Sequence, residues 1–258
     1  MKREELYIRD MCGEAKCLSD FTAKGMAVHA ETLRCETEFD RSNKDITGGI
    51  MNWMYTDIWP SGTWSIIDYY LEPKQAYYQI KRSYKPLLLT FVENKDGKTQ
   101  LVVVNDTTDE FSGEIEYGKK DLDGNVIEKE KIVVSVAEGG LFKTDVSFDV
   151  RGKNVYLYIK CGDYKNVYSP TFYRDCDFNA DYTAETEKVS DNELKVKIKA
   201  RTFVKGLFLS FKDNYKYIYS DNYLDIEADD EAVVTITSED KIDKNGLKTA
   251  SFDERTRK

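Results

Sequence analysis

A chain of 258 residues with 47 Asp and Glu against 38 Lys and Arg carries a formal net charge of −9. That sign argues against a nucleic-acid groove or a surface that binds anionic membranes. Apolar residues make up 41% of the chain, enough for packed cores, and no stretch approaches the roughly eighteen apolar residues of a membrane span.

The N-terminus, MKREELYIRDMCGEAK, is charged and has no apolar h-region, so no secretory signal is expected. From Ser19, a candidate N-cap, the apolar positions Ala23, Met26, Ala27, Ala30 and Leu33 recur at three and four, predicting a helix. After the polar break RSNKD and Gly48-Gly49, the run Ile50 to Met54 has the length and composition of a buried strand. The loop DIWPSG follows. Glu72-Pro73 then opens a second predicted helix, with Pro at its first position. Its stripe is Ala76, Tyr77, Ile80 and Tyr84, and Pro86 stops it. Helix, strand, loop, helix is α/β grammar. Two helices and one strand cannot cover both faces of a parallel sheet, so residues 1–86 read as a piece of a larger fold.

Beyond Pro86 the pattern is β. LLLTFVEN and TQLVVVND flank Lys95-Asp96-Gly97-Lys98, a hairpin signal. Asp123-Gly124-Asn125 separates two more extended stretches, and KIVVSV, TDVSFDV and NVYLYIK have strand lengths. Ser169-Pro170 is the expected boundary. Past it, DYTAETEKV, ELKVKIKAR, GLFLSF, YKYIYS, YLDIEA and EAVVTITS form a second set of short strands. Such spacing of strands and turns predicts two small sandwiches, at 87–170 and 171–258. Each is expected to fold without residues 1–86, which would be the labile part.

The segment GGIMNWMYTDIWPSGTWSIIDYYLEPKQAYYQIKRSYKPLLL, Gly48 to Leu89, resembles the last barrel strand and last barrel helix of family 2 glycoside hydrolases of the β-mannosidase type and their exo-β-glucosaminidase relatives. The shared elements are Trp53, Asp57, Trp59-Pro60, Trp64-Ser65, Asp68-Tyr69-Tyr70, Lys74 and Ala76 to Tyr78. Ser169-Pro170-Thr171 resembles the linker between the accessory sandwiches of these enzymes, and Ser220-Asp221-Asn222-Tyr223 resembles a turn of their last domain. Where many β-mannosidases have Gln-Leu-Asn-Asp after the strand tryptophan, this chain has Met54-Tyr55-Thr56-Asp57, closer to the exo-glucosaminidase pattern. The resemblance implies a mainly β chain: the C-terminal remnant of a (β/α)8 barrel at 1–86, followed by two immunoglobulin-like β-sandwich domains.

It also implies a retaining glycosidase whose acid/base and nucleophile glutamates lie upstream of the segment that opens this chain. No catalytic residue is therefore expected here. Asn192-Glu193 and Glu110-Phe111 are faintly similar to the catalytic motifs but sit at turns. The candidate substrate-binding residues are Trp53, Asp57 and Trp59. An indole such as Trp53 stacks on the C–H face of a pyranose. Asp57 either contacts sugar or holds its own loop, and Trp59 and Trp64 either line the site or pack beneath it.

Other chemistries find little support. GxGxxG, P-loop and GxSxG motifs are missing. Five cysteines at irregular spacing make no disulfide framework, and the single histidine, His29, cannot seed a His-rich metal site. The acidic run Asp225, Glu227, Asp229, Asp230 and Glu231 lacks the spacing of an EF-hand loop. A reduced, cytoplasmic chain without metal or cofactor is the expectation.

Two functional readings remain. One is the C-terminal portion of a hydrolase acting on a β-mannoside or β-glucosaminide. The other is a stand-alone carbohydrate-binding or interaction sandwich protein with a barrel remnant. In either case the helical stripes Met26, Ala30, Leu33 and Ile80, Tyr84 would lack full cover. Self-association, or a complementing N-terminal hydrolase fragment, is expected to cover them.

Overall fold

The computed structural model describes residues 2–256. Helix α1 spans Lys2–Cys12, α2 Leu18–Ser42 and α3 Gln75–Ser83. The buried positions of α2 include Asp20, Ala23, Ala27, Ala30, Arg34 and Glu38, steps of three and four that keep one face inward. Ser19 is not its cap. Cys17 occupies that position without a side-chain capping bond, and the Asp20 carboxylate accepts the Lys16 N–H at 2.8 Å. Helix α3 likewise begins later than the Pro signal suggests, with Lys74 at the N-cap and Pro73 just outside. It buries Tyr78 alongside Ala76 and Ile80, and Tyr84 is exposed.

Fourteen antiparallel strands follow among the described residues. Strands β1 (Leu87–Glu93), β2 (Thr99–Asn105) and β5 (Leu141–Asp145) form one sheet in the order β1-β2-β5. Facing it is the sheet β4-β3-β6-β7, with β3 Phe111–Asp121, β4 Val126–Val136, β6 Val155–Cys161 and β7 Tyr164–Tyr168. Between them lie Leu89, Phe91, Leu101, Val103, Ile115, Val134 and Leu157. In the β1–β2 hairpin the Asn94 carboxamide accepts the N–H groups of Asp96 and Lys98, and Gly97 supplies the positive φ of 74° that the reversal requires.

The remaining strands make a second pair of sheets. One is β11-β13-β9-β8, from β8 Tyr182–Ser190, β9 Glu193–Ala200, β11 Tyr217–Tyr219 and β13 Glu231–Ser238. The other is β12-β10-β14, from β10 Val204–Ser210, β12 Leu224–Ile226 and β14 Lys248–Ala250. Their shared core contains Leu194, Val196, Ile198, Leu207, Leu209, Val234 and Ile236. A short helix, α4 (Phe252–Thr256), closes the described chain. Helices α1 and α4 and strands β7 and β14 had no periodic signal strong enough to predict them. TDVSFDV is a strand only as far as Asp145.

Two expectations are corrected. Residues Ile50 to Met54 form no regular strand. A strand exists only through its ladder, and residues 48–53 make no hydrogen bond among the described residues. The helical stripes are also covered, except at the exposed Tyr84. Ala30 and Ile80 share a buried cluster with Ile66 and Ala76 against which Leu33 packs, and Met26 packs against the core of the last two sheets. Helix α2 lies against β1 and β2, whose second face of Leu88, Val92, Val102 and Val104 is buried as well. Its Ala27 enters a cluster with Tyr156, Tyr158, Tyr173, Phe178, Phe203 and Phe252, which draws on both pairs of sheets. So α2 is the spine of the molecule rather than a loose remnant.

Candidate functional site

Residues 46–73 form one long irregular segment between α2 and α3, and all three tryptophans lie on it. Among the described residues its only ladder-like contacts are bridges of Ile67 to Thr56 and to Pro73. They are supported by backbone bonds from Ile67 N to Tyr55 O at 3.0 Å and from Lys74 N to Ile66 O at 2.9 Å. Side chains must therefore do much of the work of shaping it.

Asp57 does most of it. The residue is 4% exposed, and its carboxylate accepts Lys74 Nζ at 2.8 Å and the Thr63 hydroxyl. Lys74 Nζ also donates to Ser65 Oγ at 2.7 Å, and Ser65 Oγ in turn to Ile67 O at 2.8 Å. Burial pushes the Asp57 carboxyl up, but hydrogen bonds from Lys74, Thr63 and Ser65 outweigh it and hold it below the usual carboxylate range. Asp68 is a turn cap: its Oδ1 accepts the N–H groups of Tyr70 and Glu72, both at 2.8 Å. Glu72 reaches across to Asn214 Nδ2 at 2.6 Å, and burial raises its carboxyl. All three acids of the segment are thus engaged in holding it.

His29 approaches from α2, its ring edge-on to Trp64 with centroids 6.2 Å apart. Burial and the neighbouring Lys74 charge push its imidazole down to about 4, against a hydrogen bond to the Trp64 backbone. The other end of α3 is pinned by the turn at Ser220 to Tyr223. Arg82 donates to Asp221 Oδ1 at 2.6 Å and to Asn222 O at 3.1 Å, and Lys81 to Ser220 O at 2.8 Å.

On this frame the aromatics stand outward. Trp53 is 83% exposed and Trp59 63% exposed, and Trp64, Tyr55 and Tyr70 are exposed too. Of the predicted site residues, Trp53 and Trp59 are presented to solvent and Asp57 is buried. The sequence offered no sign of His29 as a neighbour of Trp64, since helical periodicity does not say what a helix face meets. The acidic run of the last sheets is paired with lysines: Asp225 with Lys205, Glu227 with Lys120 and Asp230 with Lys165.

No family model matches the chain. A β-mannosidase B of Emericella nidulans is 28% identical over 214 residues, 73% of this chain and 25% of the relative. An exo-β-D-glucosaminidase of Amycolatopsis orientalis is 31% identical over 105 residues, 39% of this chain and 10% of the relative. Among solved structures, a β-D-mannosidase of Dictyoglomus thermophilum superposes with a TM-score of 0.85 at 22% identity, over 97% of this chain and 32% of that one. The exo-chitosanase of Amycolatopsis orientalis superposes with a TM-score of 0.71 at 16% identity, over 95% and 35%. The chain thus spans about a third or less of the proteins it matches. By sequence and by fold together, the chain resembles the C-terminal part of family 2 glycoside hydrolases of the β-mannosidase and exo-β-glucosaminidase type.

Proposed function

We propose that the chain serves a retaining β-mannosidase-type hydrolase acting on β-linked sugars, and that the catalytic carboxyl groups come from polypeptide outside it. The alignment with the Emericella nidulans β-mannosidase over 73% of this chain carries the reading. In this view residues 1–86 are the end of a (β/α)8 barrel, and 87–170 and 171–258 are two immunoglobulin-like sandwiches. Retaining hydrolysis needs two carboxyl groups about 5–5.5 Å apart, one to protonate the leaving oxygen and one to attack the anomeric carbon. Asp57, Asp68 and Glu72 are committed to the loop, so they are not that pair.

Trp53 is the sugar platform. Its exposed indole offers a flat apolar face to a pyranose ring, and polar groups of the completed cleft would take the hydroxyls. Trp59 extends the platform. Asp57 positions the loop through Lys74 and does not touch sugar. Exposure of Trp53 and Trp59 in this chain also favours a second reading, carbohydrate binding without hydrolysis.

The test is a chimaera in which this chain replaces the superposing third of the Dictyoglomus thermophilum β-mannosidase. It should hydrolyse an aryl β-mannoside or an aryl β-glucosaminide, whereas the chain alone should turn over neither. Trp53→Ala in the chimaera should lower kcat/KM about 100-fold, the scale of losing a well-placed stacking partner and the orientation it enforces. A folded chimaera silent on both substrates overturns hydrolysis. If the chain alone then still binds the monosaccharides, the second reading stands.

A further inference from the structure

A turn of the last pair of sheets clasps the aromatic segment near its end. Asn214 Oδ1 accepts the Phe211 N–H at 3.2 Å and the Tyr219 hydroxyl at 2.5 Å. That fixes the carboxamide, so its Nδ2 is the group that donates to Glu72 Oε1, at 2.6 Å. Glu72 is locked to Asp68 in turn: Asp68 Oδ1 accepts the Glu72 N–H at 2.8 Å, and the Asp68 N–H donates to Glu72 O at 3.0 Å. Helix α3 joins the same two parts of the chain through Arg82 on Asp221 and through Tyr78 in the core. The turns at 68–72 and 213–216 are therefore held at a fixed separation.

Both turns are strained and both carry exposed rings. Leu71 and Asp213 hold positive φ, 64° and 56°, which residues with a side chain rarely adopt. Tyr69, Tyr70, Leu71 and Tyr215 are all exposed, Tyr215 at 59%. The bonds from Ile67 N to Tyr55 O at 3.0 Å and from Asp57 N to Ile67 O at 3.1 Å set the exposed Tyr55 beside the first turn. Aromatic residues thus run from Trp53 and Tyr55 through Tyr69 and Tyr70 to Tyr215. The hydroxyls of Tyr55, Tyr69, Tyr70 and Tyr215 have no hydrogen-bond partner among the described residues. Ring faces with free hydrogen-bonding tips match a pyranose, which has a C–H face and a rim of hydroxyls. One ring serves one sugar, so a row of rings serves several.

We propose that Tyr70 and Tyr215 form a second sugar-binding wall beyond the Trp53 platform, clasped by Glu72 and Asn214, so that the chain takes a β-linked oligosaccharide rather than a single sugar. The proposal rests on the sugar-platform reading of Trp53 and adds a residue of the last pair of sheets to that site. Tyr70 and Tyr215 bind the ligand; Glu72 and Asn214 are positioning residues.

NMR titration of the full chain tests it, with β-1,4-mannotriose and the β-1,4-linked glucosamine trisaccharide as probes beside methyl β-mannoside and methyl β-glucosaminide. At least one trisaccharide should bind about tenfold tighter than its monosaccharide, the scale of one well-placed aromatic contact. Tyr215→Ala should abolish that gain, leave monosaccharide binding within about twofold, and melt like the wild type because the side chain is exposed. Trp53→Ala should weaken both ligands. Glu72→Ala should lose the gain as well, and Glu72→Gln should restore it, since the amide oxygen still accepts Asn214 Nδ2. A merely structural clasp would not change the ratio of the two affinities. Three results overturn the proposal: trisaccharides that bind no tighter than monosaccharides; a gain that survives Tyr215→Ala; or no sugar bound at about 10 mM. Turnover is scored separately in the chimaera. A trisaccharide gain with a silent chimaera keeps the wall and sinks hydrolysis, whereas an active chimaera without the gain sinks the wall and keeps hydrolysis.

Discussion

At the scale of single residues, the Asp57–Lys74 pair and His29 decide whether the aromatic loop holds its shape. Lys74 joins Asp57, Ser65 and the first turn of α3, so Lys74→Met leaves a buried carboxylate with only its hydroxyl partners. Because the ammonium is partly exposed, the cost should be about 1–3 kcal/mol rather than that of a fully buried pair. Tryptophan fluorescence should report a looser segment in this variant, and Lys74→Arg should restore part of it. Unchanged melting and unchanged fluorescence would remove the pair's positioning role. His29 sets a pH dependence of definite sign. Its imidazole falls from 6.5 to about 4 on folding. Above pH 6.5 it is neutral in both states and contributes no slope. Between pH 6.5 and about 4 only the unfolded chain takes up the proton, so stability falls with falling pH by up to about 3 kcal/mol. The difference between wild-type and His29→Gln unfolding curves should open in that window, and curves that stay parallel would contradict it.

Among the elements, α2 carries most weight. Its alanines at 23, 27 and 30 let rings and strands approach closely, and its charged positions are neutralised deep inside. Glu31 accepts from Lys205 Nζ at 2.9 Å and from the Tyr173 hydroxyl at 2.5 Å, and Lys205 also meets Asp225 at 2.6 Å. Burial opposes ionisation of Glu31, but the Lys205 and Arg34 charges and the hydrogen bonds from Tyr173 and Lys205 prevail and hold it at about 2. Arg34 continues the network to Glu38 at 3.4 Å and to Val167 O at 2.7 Å. Glu31→Gln should destabilise the chain by about 3 kcal/mol in urea unfolding, since a buried ammonium then keeps a single carboxylate. A loss below about 0.5 kcal/mol, the range of ordinary surface changes, would show that the network relaxes freely.

For the whole molecule, helices and sheets share cores rather than merely touching. Tyr78 of α3 belongs to the core of the last two sheets, and Ala27 of α2 to the cluster between the two pairs of sheets. A chain beginning at Pro86 would therefore expose Leu88, Val92, Val102 and Val104 and strand Lys205 without Glu31. It should melt more than about 10 °C below the full chain, several kcal/mol for a protein of this size. Equal melting temperatures would restore the expectation that the sheets stand alone. The label of lability moves instead to residues 46–73, which should exchange first while α2 stays protected.

Much of the β architecture was legible in the sequence alone, because alternation and turn chemistry are local. The Asn94–Lys98 hairpin, the break at Asp123-Gly124-Asn125 and the run from Tyr182 to Ser238 read directly as strands and turns. So did the inward stripe of α2. The tryptophan-rich segment announced its relatives, since its spacing of aromatics and polar residues is itself a pattern in sequence. What only the tertiary structure decided was environment. Whether Ile50 to Met54 is a strand depends on a ladder partner that local sequence does not specify. Whether Asp57 meets solvent or a lysine depends on where Lys74 is placed by α3, and whether the stripes of α2 and α3 lie bare depends on sheets far along the chain. Those outcomes are set by packing between distant segments, for which composition and periodicity carry no signal.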